Sequence, residues 1–220
     1  MYEPKWDGYR GLVFVTEVGA RVQSRRGADL TQAFPDIAAA VRRQLPAGVV
    51  VDGELVVWGR EGLDFGALHQ RLTSTKVRAA ELAVAAPATF MAFDLLALDG
   101  RDIRDRPLRE RRALLERFMA GARPPLQLTP QTDDLVVAEQ WMKDYGLAPV
   151  GVEGVVAKGA GDPYCPGQRG WVKVKIRDTA DALVGAVVGR LARPIRLVLG
   201  RLVEDELRIV GSTHELRPAQ

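Results

Sequence analysis

A lysine near the start of the chain lies in a polar cluster that could support covalent chemistry, residues 3–10 with the sequence EPKWDGYR. The amine of Lys5 can attack an electrophilic phosphorus only when it is deprotonated, a state that burial and neighbouring cations favour. Arg10 offers a fork of donors to an oxyanion, and Gly8 lets the backbone approach a ligand closely. The same residue types also suit a turn with solvated charges, and Lys-x-Asp-Gly-x-Arg alone leaves that alternative open.

Carboxylates interrupt two strongly apolar segments further along the chain. Asp52 and Glu54 are flanked by valines and a leucine, and Asp94 lies inside the apolar run 91–98. A buried carboxylate is costly unless it is paired or liganded. A ribose hydroxyl, a metal-bound water or a partner arginine would each satisfy it. Phe93 could stack on a purine face, although a plain core phenylalanine is the more common role for such a residue.

Basic residues in two places could neutralise phosphate. Lys173 and Lys175 alternate with apolar residues, so they point to the same face of one predicted strand. Two like charges side by side repel unless an anion lies between them, but a solvent-exposed strand face explains the pair as well. Glu153 lies in a β-rich run just before them, and Arg25 follows a predicted hairpin in what reads as a solvated turn.

These clusters lie on an alternation of predicted strands and helices. The strands are expected at 12–17, 20–24, 49–58, 89–98, 150–158 and 171–176, and the helices at 31–45, 65–72, 107–118 and 135–145. From about residue 181 the pattern changes to three short strands, 182–190, 196–203 and 206–211, without a helix between them. These strands resemble the opening of a small β-barrel.

The composition limits the class of protein. The chain has 220 residues, of which 47% are hydrophobic and 27% charged, with a net charge of +3 that permits binding to a polyanion without requiring it. It contains no apolar run of 18 residues and no signal peptide, which favours a cytoplasmic protein without a membrane span. A single cysteine excludes an internal disulfide, and two histidines are too few for a His/Cys metal site.

Taken in order, the clusters resemble the motifs of the covalent nucleotidyltransferase superfamily, which comprises ATP-dependent DNA ligases, RNA ligases and mRNA capping enzymes. The matching segments are 5–10 (KWDGYR), 52–54 (DGE), 93–94 (FD), 153–158 (EGVVAK) and 171–175 (WVKVK), with Arg25 after the first hairpin. The sequence between these motifs, at 64–68, 96–100, 107–112 and 164–169, is most similar to bacterial ATP-dependent DNA ligases. These include both short ligases and the ligase domains of end-joining proteins.

The resemblance implies an α+β fold in two parts. Residues 1–179 would form the nucleotidyltransferase, or adenylation, domain, with antiparallel sheets flanked by helices in an ATP-grasp-like arrangement. Residues 180–220 would form the first part of an OB-fold barrel. Compared with the family pattern, the chain is expected to be shortened at both ends, before the nucleophile motif and within the barrel.

It also implies a reaction. Neutral Lys5 would attack the α-phosphorus of ATP, expel pyrophosphate and form lysyl-AMP. The AMP would then pass to the 5′-phosphate of a DNA nick, and the 3′-hydroxyl would displace it to seal the strand during repair or recombination. The expected partner is nicked double-stranded DNA, acted on by a monomer in the bacterial cytoplasm at the nucleoid, alongside end-joining or repair proteins.

The resemblance assigns roles residue by residue. Glu3 would lie near the adenine and Phe93 would stack on it, while Arg10 and Glu54 would hold the ribose and sugar-phosphate region. Mg²⁺ or Mn²⁺ would be held by Glu153, with Glu54 or Asp94. The residues expected to neutralise phosphate charge are Arg25, Arg169, Lys173 and Lys175, the last two as catalytic residues beside Lys5.

Two other functions stay open at this stage. One is an RNA ligase or a capping-type guanylyltransferase, which share the same ordered motifs. The other is a truncated paralogue that binds nucleotide or DNA without turnover, which the abrupt start and the absence of a final basic motif would favour.

Overall fold

The computed structural model describes residues 1–147, 151–168, 170–175 and 181–216. The chain divides into two compact units, Met1–Ile176 and Arg177–Gln220. The domain boundary predicted between residues 179 and 180 falls within 176–180, which lie outside the described residues. Within the described ranges, no helix is long and apolar enough to cross a membrane.

The larger unit alternates strands and helices as its apolar pattern predicts. Its strands are β1 (Tyr2–Trp6), β2 (Tyr9–Thr16), β3 (Gly19–Ser24), β4 (Val49–Val57), β5 (Ala88–Leu98), β6 (Arg101–Asp102), β7 (Leu126–Leu128), β8 (Val152–Ala157) and β9 (Val172–Lys175). Its helices are α1 (Pro35–Gln44), α2 (Phe65–Thr73), α3 (Lys76–Ala85), α4 (Leu108–Met119) and α5 (Leu135–Leu147).

A six-stranded sheet forms the centre of this unit, in the order β3-β2-β4-β5-β6, with β7 pairing parallel to β5. Alternate residues of β2, including Val13 and Val15, point into the core. Helix α1 buries Ile37 and Val41 at helical spacing and packs against the same core. The central strands β4 and β5 are buried along most of their length, which explains their nearly continuous apolar sequence.

A second, three-stranded sheet has the order β1-β8-β9, with both pairings antiparallel. Only Asp7 and Gly8 connect β1 in this sheet to β2 in the larger one. A Cβ atom on Gly8 would lie 2.4 Å from the backbone oxygen of Leu55, so only glycine fits this crossing. The sequence suggested that Gly8 lets the backbone approach a ligand, whereas the close approach observed is to strand β4.

The smaller unit is an antiparallel three-stranded sheet, β10 (Leu183–Arg190), β11 (Arg193–Val203) and β12 (Glu206–Ser212), in sequential order. Its three strands match the three predicted from the change of pattern after residue 181. The arrangement is that of the first part of an OB-fold barrel.

The predicted α+β class with antiparallel sheets flanked by helices is confirmed, together with the hairpin of β2 and β3. Four elements were missed, two of them the short strands β6 and β7. Strand β1 is short and contains Pro4, which argues against a strand in sequence. Helix α3 has no single apolar face, since Ala79 and Leu82 are buried while Val77 and Val84 are exposed.

A buried arginine ties three elements of the larger unit together, and its loss should be costly. Arg71 is 1% exposed, binds both oxygens of Asp36 at 2.9 and 3.0 Å, and donates to the backbone oxygen of Ala86 at 2.8 Å. We expect Arg71→Met to lower the free energy of unfolding by about 3 kcal/mol, because the largely buried Asp36 carboxylate loses its cationic partner and the Ala86 carbonyl loses this donor. Denaturant unfolding followed by tryptophan fluorescence reports this unit alone, since all four tryptophans lie in it.

Arg78→Met is the matched control for this prediction. Arg78 pairs with Glu81 at 2.8 Å, but both side chains are more than half exposed, so the loss should stay below about 1 kcal/mol. Equal losses for the two variants would contradict a structural role for the buried pair.

Candidate active site

A cavity of about 220 Å³ in the larger unit gathers most of the residues that the sequence singled out. Both sheets contribute to its walls, and so do the segments that follow β3 and β8. The lining residues are Glu3, Pro4, Lys5, Trp6, Arg10, Arg25, Glu54, Phe93, Val156, Lys158, Trp171 and Lys173.

Lys5 lies in β1 and its ammonium group forms an ion pair with Glu153 of the neighbouring strand β8. The same Glu153 oxygen lies 3.1 Å from the ammonium of Lys175 in β9. The strand order β1-β8-β9 therefore aligns these three side chains in a row across the sheet. Burial acts to raise the pKa of Glu153, but hydrogen bonds and charge interactions with Lys5 and Lys175 outweigh it and hold that pKa below its ordinary value.

This arrangement defines what must change before Lys5 can react. An amine that donates to a carboxylate in an ion pair carries its proton and has no free electron pair for attack. An attack by Lys5, the role that the sequence predicts for it, would therefore require Lys5 to leave Glu153 and lose a proton. A cation that engages Glu153 would favour both changes, because it competes for the carboxylate that stabilises the ammonium.

Positive charge is concentrated around the cavity. Burial lowers the pKa of Lys173, and the neighbouring cations Lys5, Arg25 and Arg10 lower it further, against a smaller opposite effect of Glu54. Cations that depress one another's charged state form a site that an anion would stabilise. Of the two alternatives for the β9 lysines, this favours an anion at Lys173, while Lys175 is ion-paired with Glu153.

Arg10 is the partner of Asp52, the buried carboxylate that lies two residues before Glu54 in β4. The Arg10 guanidinium binds Asp52 through Nε at 3.0 Å and Nη2 at 2.5 Å, and Asp52 has no exposed surface. Burial acts to lower the pKa of Arg10, but Asp52 outweighs that effect and raises it. Asp52 is thus satisfied by a partner arginine, which was one of the alternatives that the sequence left open.

Glu54 lies two residues after Asp52 in β4 and lines the cavity, and its pKa is shifted. Burial, followed by the repulsion of Asp52, raises the pKa of Glu54 to about 8, although Arg10, Lys5 and Lys173 oppose the shift. A carboxyl with this pKa is largely protonated at neutral pH. Protonated, it can donate a hydrogen bond to a hydroxyl or phosphate oxygen; ionised, it can accept one or bind a cation.

Phe93 and Trp171 form an aromatic corner of the cavity around a buried lysine. Their ring centroids lie 5.7 Å apart with nearly perpendicular planes. The ammonium of Lys158 lies 4.3 Å from the Phe93 centroid and 4.1 Å from the Trp171 centroid, which are cation–π distances. A planar base is the kind of group that such aromatic faces accommodate.

Glu3 lies beside this corner and is almost fully buried, with 2% of its surface exposed. One carboxylate oxygen lies 2.5 Å from the Lys158 ammonium, and the other accepts a hydrogen bond from the side-chain amide of Gln131 at 2.6 Å. Glu3 is therefore a fixed, charged acceptor in the cavity wall. An exocyclic amino group of a base would be an appropriate donor to it.

Two predicted site residues stand apart from this group. Asp94 has no exposed surface, does not line the cavity, and binds the guanidinium of Arg111 through both oxygens at 2.8 and 2.9 Å. Its suggested role as a metal ligand is not supported by this geometry, because a partner arginine already satisfies it. Arg169 lies outside the described residues.

In the described part of the chain, no group of three or more His, Cys, Asp or Glu side chains is arranged to hold a metal ion. Of the two remaining carboxylates predicted to hold Mg²⁺ or Mn²⁺, Glu54 lines the cavity and Glu153 is paired with Lys5 and Lys175. Such ions commonly bind one or two carboxylates, with water and substrate phosphates completing the shell. Such an ion would neutralise phosphate charge and take Glu153 away from Lys5.

Sequence reasoning gave no role to Lys158, Trp171, Gln131 or Tyr164. Lys158 follows an apolar strand, which is a weak sign of a buried charge, and Trp171 directly precedes the alternating strand β9. Tyr164 donates to Asp52 at 2.9 Å from a segment without regular secondary structure, a contact that sequence spacing does not suggest.

The raised pKa of Glu54 predicts a pH dependence of stability. Between its ordinary value near 4.5 and about 8, the folded protein holds a proton that the unfolded chain has released. The contribution of this group is therefore complete below about pH 4.5 and is lost as the pH rises through about 8. We expect the wild type to lose stability relative to Glu54→Gln over this range, as measured by denaturant unfolding with tryptophan fluorescence.

Glu139→Gln serves as the control, because Glu139 is an exposed residue of α5 that does not line the cavity. Its unfolding free energy should follow that of the wild type across the same pH range. Parallel curves for the wild type and Glu54→Gln would mean that Glu54 is ionised throughout, contrary to this prediction.

Comparison with known proteins places this site in a family. The family profile described as an ATP dependent DNA ligase domain matches residues 1–175. The chain is 44% identical over 183 residues to DNA ligase C2 of Mycolicibacterium smegmatis and 40% identical over 187 residues to DNA ligase C of Mycobacterium tuberculosis. Each match covers 83% of this chain, which spans about half the length of these relatives, 51% and 52% respectively.

Solved structures agree with this placement. A mycobacterial DNA ligase D complexed with ATP and MES superposes with a TM-score of 0.65 at 30% identity, covering 97% of this chain and 65% of that one. The ligase domain of M. tuberculosis LigD superposes with a TM-score of 0.63, also at 30% identity, covering 96% of this chain and 64% of that one. Because the family profile matches residues 1–175, the chain belongs to the ATP-dependent DNA ligase domain family.

Proposed function

We propose that this chain is the catalytic core of an ATP-dependent DNA ligase and that Lys5 is the residue that accepts AMP. The observation that carries the proposal is the position of Lys5 in the cavity wall. The same cavity is lined by the cations Arg10, Arg25 and Lys173 and by the base-binding candidates Phe93 and Glu3. A nucleophile beside an anion site and an aromatic wall fits a nucleoside triphosphate.

The first step proposed is attack of the neutral Lys5 amine on the α-phosphorus of ATP. A nitrogen–phosphorus bond forms, the bond to the β-phosphate oxygen breaks, pyrophosphate leaves and Lys5 loses a proton. Arg10, Arg25 and Lys173 supply positive charge where negative charge develops, which is the main contribution that proteins make to phosphoryl transfer. We assign Arg169 and Lys175 to phosphate neutralisation as well, from the family motifs.

We assign the nucleotide as ATP from the family match and from a related structure described as complexed with ATP. In this assignment Phe93 stacks on adenine, Glu3 accepts a hydrogen bond from its amino group, and Arg10 and Glu54 hold the ribose region. Glu153, with Glu54, is the proposed holder of Mg²⁺ or Mn²⁺. A bound cation there would neutralise the triphosphate and leave Lys5 without its carboxylate partner.

The second and third steps proposed seal nicked double-stranded DNA. AMP passes from Lys5 to the 5′-phosphate of the nick, and the 3′-hydroxyl then displaces AMP to form the phosphodiester bond. Relatives named as ligases, one of them a multifunctional non-homologous end joining protein, support a role in DNA repair. We propose that the protein acts as a monomer at the bacterial nucleoid, together with end-joining or repair proteins.

Self-adenylation tests the first step. Incubation of the 220-residue chain with ATP labelled at the α-phosphate and Mg²⁺ or Mn²⁺ should attach the label to the protein. Lys5→Ala should reduce that label by more than about a thousandfold, as expected when a covalent nucleophile is removed. The label is measured on denatured protein separated by electrophoresis, so that only covalent attachment is counted.

Lys143→Ala is the control lysine variant, since Lys143 is exposed on α5 and does not line the cavity; it should be labelled like the wild type. A label that persists in Lys5→Ala would disprove the assignment of the nucleophile. Labelling by GTP in preference to ATP would point instead to a capping-type guanylyltransferase. Nucleotide binding without any covalent label would favour the non-catalytic paralogue.

A nick that already carries AMP on its 5′-phosphate isolates the last step. This substrate needs no lysine amine, so we expect Lys5→Ala to seal it while failing on an ordinary nick supplied with ATP. Raising the salt from about 50 to 200 mM should slow sealing steeply, because phosphate contacts dominate DNA binding. Product length on a denaturing gel is the measurement.

The same assay discriminates between strand types. Sealing of nicked RNA but not of nicked DNA would identify an RNA ligase. If the wild type is adenylated but seals neither substrate, then the DNA-sealing part of the proposal is wrong for this chain while the Lys5 assignment stands.

A further inference from the structure

The Arg10 guanidinium has contacts on several sides. A cation that only supplied positive charge to a wide anion site would not need so many contacts. The guanidinium carbon lies 4.6 Å from the ring centroid of Trp171, 5.5 Å from that of Phe93 and 6.0 Å from that of Tyr164. Asp52 binds its nitrogen edge through Nε and Nη2. These contacts limit the orientations in which Arg10 can present its remaining donors to the cavity.

Tyr164 completes this arrangement from outside the cavity wall. Its hydroxyl donates to Asp52 Oδ2 at 2.9 Å and accepts a hydrogen bond from Arg10 Nη2 at 3.2 Å. Tyr164, Asp52 and Arg10 thus close a ring of three mutual contacts. Burial, with Asp52 next in effect, raises the pKa of Tyr164 above its ordinary value, so the hydroxyl keeps the proton that it donates.

The segment that carries Tyr164, residues 159–164, is anchored on the start of α4. Pro107 precedes that helix without a side-chain cap, and the free amides of Leu108 and Arg109 donate instead to the carbonyls of Asp162 and Ala160, both at 3.0 Å. The Tyr164 amide donates to the carbonyl of Arg104 at 2.8 Å. The helix end therefore fixes the backbone from which Tyr164 reaches Asp52.

The buried Asp94–Arg111 pair supports the same anchor. While Asp94 binds Nε and Nη2 of Arg111, Nη1 of Arg111 donates to the carbonyl of Asp162 at 3.2 Å and to that of Arg106. This gives Asp94 a role in place of metal binding. It orients an arginine that holds the segment 159–164.

We propose that Tyr164 is a positioning residue that holds Arg10, through Asp52, in the orientation needed to bind the sugar-phosphate part of the nucleotide. This inference rests on the proposed function, because it assumes that a nucleotide occupies the cavity. Tyr164 itself does not line the cavity, so its effect on binding must pass through Arg10. A tyrosine that only packs the segment 159–164 would affect stability without this dependence on Arg10.

A double-mutant cycle separates the two roles. The ligand is an ATP analogue with a methylene group between the α- and β-phosphorus atoms, which binds without transferring AMP, and its affinity is measured by calorimetry on the 220-residue chain. We expect Tyr164→Phe to weaken binding by about tenfold, the effect of losing a hydrogen bond to charged partners. In an Arg10→Lys background, the same change should alter affinity by less than about twofold.

Tyr9→Phe is the matched control. Tyr9 adjoins Arg10 in sequence, but its hydroxyl has only an exposed 3.5 Å contact with His69, and its ring stacks on Phe65. Its removal should leave nucleotide affinity unchanged. All affinities are measured at a temperature where thermal unfolding curves show every variant to be folded. If Arg10→Lys is unfolded there, Arg10→Gln replaces it in the cycle.

The outcomes distinguish this inference from the proposed function. A tenfold loss in both backgrounds would be additive and would overturn the positioning role, as would an unchanged affinity of Tyr164→Phe alone. Absence of both analogue binding and covalent label in the wild type would instead contradict the proposed function itself. A loss confined to the chain that retains Arg10 supports the positioning of Arg10 by Tyr164.

Discussion

The two-residue connection between β1 and β2 is the constraint on which the site depends. It places Lys5 on the three-stranded sheet and Arg10 on the six-stranded sheet, only five positions apart in the sequence. The Asp7 amide donates to the carbonyl of Gly151 at 3.0 Å, and Gly8 passes against the Leu55 carbonyl where no side chain fits. The separation between Lys5 and Arg10 is therefore limited by covalent chain geometry. In this chain, the spacing Lys-x-Asp-Gly-x-Arg places both residues at the crossing between the sheets, with the glycine where no side chain fits.

Buried carboxylates organise the cavity walls around the connection between β1 and β2. Asp52, Asp94 and Glu3 are each at most 2% exposed, and each has a cationic partner within 3.0 Å. A carboxylate buried without such a partner would destabilise the fold by several kcal/mol, so each one specifies where its cation must lie. Two of the partners, Arg10 and Lys158, line the cavity, and the third, Arg111, holds the segment 159–164. The ion pairs that satisfy the core therefore also orient the groups that face a ligand.

The sequence identified the unusually placed polar residues better than it identified their hydrogen-bond and ion-pair partners. Carboxylates within apolar strands could be identified as paired or liganded. Most strands and helices followed from apolar periodicity, whereas the antiparallel sheets followed from the family resemblance. The choice between pairing and ligation could not be made, because the partners are distant in sequence. Asp52 and Arg10 are 42 residues apart, and Lys5 and Glu153 are 148 apart. Arg111 lies on a charged amphipathic helix and reads as a surface residue, so the sequence did not identify it as the partner of Asp94, and the family resemblance suggested a metal ion.

The distribution of charge suggests why one carboxylate is central to the chemistry. Glu153 accepts from both Lys5 and Lys175, whereas Lys173 and Arg25 add further positive charge near the same wall. An incoming triphosphate would bring negative charge. That charge would attract these cations away from Glu153. Nucleotide binding would in this way free Lys5 from Glu153, which is what the attack that we propose for Lys5 requires.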